Sequence, residues 1–117
     1  MSYLMESPLI NTLNVAANST SIIPAGYSIL QVIVREKSGA AITGGLKIGT
    51  TNGGVDVCVA LVVTANSIQA ISDSQLLKSV FSATVDTTLY IQAVVAWNTA
   101  NIDVYFVLRK FTLIAIY

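Results

Sequence analysis

Val, Ile and Thr supply 38 of the 117 residues, and no other feature narrows the fold as strongly. A branched Cβ loses rotamers against the preceding turn of a helix but packs well on a pleated surface, so this density favours strands. Runs rich in these residues recur with turn residues between them, the pattern of an antiparallel sandwich or barrel. Strands are predicted over residues 9–15, 22–23, 27–36, 41–48, 55–64, 67–71, 87–97 and 102–111. Residues 18–21 read as a break, and Gly44-Gly45 as a bulge. Asn52-Gly53 supplies the positive φ angles of a tight hairpin, and Asn98 to Asn101 reads as a four-residue hairpin loop. Ser72 with Gln75 fits a capping box, and Leu76, Leu77, Val80 and Phe81 follow at helical spacing. The chain therefore reads as all-β, with one short helical segment near 73–81. Residues 9–117 form a single domain, and residues 1–8, ending at Pro8, read as an arm outside the sheet.

Charge excludes several function classes. Charged residues make up 10% of the chain, with six Lys and Arg against six Asp and Glu; an ordinary soluble domain carries about 25%. There is neither a basic stripe nor an acidic tail, so nucleic acid is not an expected partner. The chain has no histidine and a single cysteine, Cys58, which removes His-based catalysis, an internal disulfide and a zinc cluster. Cys58 reads as a small apolar filler. No apolar run approaches the roughly 20 residues of a spanning helix, so no membrane is expected. The opening Met1 to Glu6 lacks the basic start of a signal peptide. Lys47-Ile48-Gly49-Thr50 leads into a turn and not a helix, unlike a phosphate loop. Asp56, Asp73, Asp86 and Asp103 match no calcium-loop spacing, and Glu6 and Glu36 offer no partner for acid–base work. No catalytic residue, cofactor or metal is expected.

The pleat carries a more specific message. Val55, Val57, Val59, Leu61 and Val63 make one apolar face, and Leu89, Ile91, Ala93, Val95 and Trp97 another. Their opposite faces, which water would make polar, carry Cys58, Ala60 and Val62, and Tyr90, Val94 and Ala96. The 27–36 strand sets Leu30, Val32 and Val34 against Ile29, Gln31 and Ile33. Second faces this apolar imply covering surfaces, hence subunit contacts. The candidate interface residues are Ile29, Ile33, Val62, Tyr90, Val94, Tyr105, Val107, Phe111 and Leu113. Residues 112–117 prolong the last strand without a charge; left unpaired, such a strand templates aggregation. The tail is expected to pair inside its own sheet, with its outer side chains meeting neighbouring subunits about a closed axis. At the 97–101 loop, an indole beside amides can stack on and bond to a sugar, with Trp97, Asn98 and Asn101 as contacts. Alternatively Trp97 continues the apolar face and plugs the end of the core.

The segments Ile23-Pro24-Ala25-Gly26-Tyr27, Ile42 to Thr50, Leu89 to Val94 and Val104 to Leu108 together resemble small β-sandwich structural proteins of tailed bacteriophages. These are head fibres, capsid decoration proteins and fibre-tip domains, and the likeness covers roughly residues 20 to 110 in texture. The resemblance implies a jelly-roll-like homotrimer displayed on a virion and assembled in the host cytoplasm. It implies an N-terminal segment that docks on other virion proteins, and it carries no catalytic residues. A non-enzymatic virion component is the first expectation. A carbohydrate-binding module that recognises a host surface glycan through the Trp97 loop is the alternative.

Overall fold

A computed structural model describes residues 2–71, 76–78, 80, 82, 84–95, 97 and 99–114. The elements are β1 (Ser2–Val15), β2 (Ser19–Ile23), β3 (Tyr27–Glu36), β4 (Ile42–Gly49), β5 (Cys58–Val63), β6 (Ile68–Ala70), β7 (Thr87–Ala93) and β8 (Ile102–Ile114). They pair antiparallel into two four-stranded sheets, β1-β8-β3-β6 and β2-β7-β4-β5. Val32, Val34, Val104 and Phe106 from the first sheet join Leu46, Ile48, Leu61, Leu89 and Ile91 from the second in one buried core. The chain is thus an all-β sandwich with no helix among the described residues.

The β-branched runs become strands where expected, but their partners differ from what local turn signals imply. Among the described strands only β4 and β5 form a hairpin within one sheet. Gly53, at φ 81°, makes that turn possible. Asp56 locks it by accepting from the Thr50 N–H at 2.8 Å and the Thr50 hydroxyl at 2.5 Å. Strands β7 and β8 belong to different sheets, so the chain crosses between sheets before β8 and does not form the expected hairpin. β2 starts at Ser19, inside the expected break, because β7 offers it a ladder from Ser19–Ile91 to Ile23–Thr87. Of the segment expected to be helical, residues 73–75, 79 and 81 lie outside the described residues. Leu76 bridges to Cys58, the Leu77 N–H donates to the Val57 carbonyl at 2.9 Å, and Val80 has φ 57°, so these positions are not helical.

The segment expected as an arm outside the sheet is a paired strand. Ser2 to Met5 pair with Ile114 to Phe111, and a bulge between Met5 and Pro8 joins them to the body of β1. Proline is tolerated there because a bulge on an edge strand needs no ladder donor. β3 stops pairing with β8 at Tyr27–Lys110, so this end of β1 and β8 is a two-stranded ribbon running past β3. The molecule measures 56 by 25 by 23 Å.

Candidate functional site

Alternate residues of a strand face opposite ways, so burying Ile102, Val104, Phe106 and Leu108 turns Asp103, Tyr105, Val107 and Arg109 outward. The register then assembles an outer face in rows across the first sheet. Ile10, Val107 and Gln31 form one row; Thr12, Tyr105, Ile33 and Ala70 the next; Asn14, Asp103, Arg35 and Ile68 the third. Ile10 is 61% exposed and Ile68 70%, and Leu30 lies open beside the first row. Ile33, Tyr105 and Val107 are half-buried by their neighbours. Polar groups concentrate at one end of the face. There the Lys37 ammonium meets Asp103 at 2.9 Å, and Asn14 donates to the same carboxylate at 3.0 Å. Asn14 and Lys37 hold the Asp103 carboxyl below the usual range. Elsewhere Ile10, Leu30, Ile33, Tyr105, Val107 and Ile68 give the face apolar area, interspersed with Thr12, Gln31 and Arg35.

Three of the nine expected interface residues, Ile33, Tyr105 and Val107, are brought together on this face. Ile29 is not: it is 2% exposed and packs in the core. The cause is a bulge between Ile29 and Gln31, which inserts Leu30 and reverses the parity of β3. Gln31 compensates locally, its side-chain carbonyl accepting the Val32 N–H at 3.0 Å. Val62 lies exposed on edge strand β5, Tyr90 on the outer face of β7, and Val94 just after β7, its N–H bonded to the Gly45 carbonyl. These three belong to the opposite sheet, so the nine residues do not form one surface. Phe111 and Leu113 pair with Met5 and Tyr3 in the ribbon. Sequence reasoning missed Ile10, Leu30 and Ile68; the period of β1 pointed to Ile10, whereas Leu30 needed the bulge.

The 97–101 loop is divided between two tasks. Trp97 packs against the core, and its indole N–H donates to Asn18 Oδ1 at 2.9 Å. Asn98 lies outside the described residues. Asn101 is drawn to the far side by Glu36, whose carboxylate accepts its N–H at 3.2 Å, while Asn101 Oδ1 accepts from Asn14. Trp97 and Asn101 are therefore engaged with different partners, Asn18 on one side and Glu36 with Asn14 on the other. Glu36 itself, 1% exposed, also accepts from the Ser38 hydroxyl, from the Gly39 and Ala40 N–H groups, and from Asn66 N–H at 3.4 Å. Burial alone would raise its pKa, but these hydrogen bonds outweigh it and hold the carboxyl at about 2. Glu36 thus ties three inter-strand connections together as a buried anion, with its acceptor capacity already committed. The signal was legible: Glu36 shares the parity of Val32 and Val34, so it had to be buried and bonded. Cys58 is fully buried, and burial pushes its thiol up to about 11, which suits packing and not nucleophilic work.

Comparison of the chain with protein-family models, curated proteins and solved structures found no match.

Proposed function

We propose that this chain is a non-enzymatic structural protein of a virion, a homotrimeric β-sandwich that decorates or projects from a phage capsid or tail. The observation that carries the reading is the apolar outer face of the first sheet, running through Ile10, Val107, Leu30, Ile33, Tyr105 and Ile68. Apolar side chains gathered on one outer sheet face favour a covering surface, and further copies of the same chain would supply it. The two-stranded ribbon supports the same reading, since an isolated pair of strands is marginal in water and gains stability when packed. It would dock the subunit on other virion proteins. The order β1-β8-β3-β6 facing β2-β7-β4-β5 supports a jelly-roll reading of the sandwich, an architecture used by viral capsid and lectin domains. That fold-level likeness, with the textural resemblance to phage decoration proteins, supports the virion setting.

Light scattering on the intact chain at micromolar concentration tests the assembly. The expected mass is three times the 12.4 kDa of the chain. A double Ile33→Asp, Tyr105→Asp variant is expected at the single-chain mass, still folded. A monodisperse 12.4 kDa particle from the intact chain would overturn the reading. Neighbouring genes encoding capsid and portal proteins are expected; neighbours with no virion role would remove the virion part.

A further inference from the structure

The outer face of the second sheet carries a groove of about 360 Å³, lined by Asn18, Ser19, Thr20, Asn52, Tyr90 and Gln92. Tyr90 of β7 lies in register between Thr20 of β2 and Gly49 of β4. A Cβ on residue 49 would run into the Gly54 backbone, so only glycine lets the 50–54 turn fold back tightly over the end of β4. That fold-back brings Asn52 to Gln92. Gln92 Nε2 donates to Asn52 Oδ1 at 2.7 Å, and Gln92 Oε1 accepts the Gly53 N–H at 2.9 Å. The turn forms one wall, residues 18–20 the other, and Tyr90 and Gln92 the floor.

From this geometry we infer that the groove is a binding site for a neutral sugar, a hexose or N-acetylhexosamine. Its lining is amide, hydroxyl and one phenol ring, the set that bonds sugar hydroxyls and stacks on a pyranose face. Among the described residues, no charged side chain lines it. The charge nearest in register is Lys47, the β4 partner of Gln92, and it lies outside the lining. The amides are oriented before any ligand arrives. Asn18 Oδ1 is taken by the Trp97 indole and Asn52 Oδ1 by Gln92, so both asparagines keep their NH₂ donors for hydroxyl or acetamido oxygens. Groups already held in place cost little further ordering on binding. The volume falls within the range of small-ligand sites, about 300–1,000 Å³. The site lies on the sheet opposite the proposed assembly face and does not rest on that assembly.

Trp97 is the only tryptophan, and its hydrogen bond to Asn18 places a reporter at the rim of the groove. The full chain is titrated with methyl glycosides of neutral hexoses and N-acetylhexosamines, and with sialic acid as the charged arm. Trp97 emission and calorimetry follow binding. Saturable binding of a neutral glycoside is expected, weakened about tenfold or more by Thr20→Arg, which fills the groove from an exposed edge position. Asn52→Ala, at an exposed turn position, is expected to weaken it likewise. Melting curves matching the intact chain show that each variant is folded. Three results would overturn the inference: no saturable binding of any neutral probe by either method, a preference for sialic acid, or affinity unchanged in both variants.

Discussion

One inserted residue sets which half of β3 faces the core. With Leu30 accommodated in the bulge, Ile29 points inward opposite Leu108, while Ile33 points outward opposite Tyr105. Ile29→Ala should therefore cost about 2–5 kcal/mol in denaturant unfolding, through lost burial and a cavity. Ile33→Asp should cost clearly less than Ile29→Ala in the isolated subunit and act mainly on assembly, because Ile33 is only half-buried. Equal losses at both positions would show that the parity is wrong. Alternation within β3 is legible from the sequence on either side of Leu30, but the bulge is not, because nothing local distinguishes Ile29-Leu30-Gln31 from an unbroken strand. Glu36 leads to a second prediction. Its folded pKa of about 2 lies below its ordinary 4.5, so its stabilisation is complete above about pH 4.5 and is lost as pH falls towards 2. Asp56 and Asp103 are lowered as well and add to the same acid-side loss. Urea midpoints taken from neutral pH to pH 2 should fall across that window. Glu36→Gln should lower the neutral-pH stability by about 2 kcal/mol and flatten the dependence, since an amide turns donors towards donors.

At the scale of elements, turns were readable and destinations were not. Asn52-Gly53 does make a hairpin, because β4 and β5 both complete the second sheet. The 98–101 loop carries equally good turn residues, yet the chain crosses between sheets before β8, since β8 fills the gap between β1 and β3. Local turn chemistry bends a chain; which sheet has an empty slot decides where it goes next. Residues 112–114, free of charge, are likewise legible as a strand that must be paired, whereas nothing in the sequence marks residues 2–5 as the partner. Among the described residues, no third strand pairs with the ribbon of residues 2–5 and 111–114. Deleting residues 1–5 and 112–117 together should leave a cooperative melt within a few degrees of the intact subunit while weakening self-association. Loss of cooperative melting after that double deletion would make the ribbon part of the folding unit.

Across the whole molecule, the sandwich presents two unlike exteriors, an apolar sheet face suited to packing and an amide-lined one suited to polar ligands. The missing alternation pointed to the first face only through β3, because the Cys58 and Tyr90 strands belong to the second sheet and Cys58 is buried in the core; the amide-lined face requires residues 18–20, 52 and 90–92 to meet, which no spacing reveals. The pairing of β1 with β8 has its own consequence during synthesis. β1 is made long before its ladder partner, residues 102–114, and β3 also waits for that strand. At about 5–20 residues per second the earlier strands spend several seconds beside the ribosome with the centre of their sheet empty. A ribosome-stalled nascent chain ending at residue 100 should be cleaved readily by protease, and one extended until residue 114 has cleared the exit tunnel should resist. The last strand acts as a closing key: the translating ribosome, and not a local nucleus, sets the moment at which this protein becomes a protein fold.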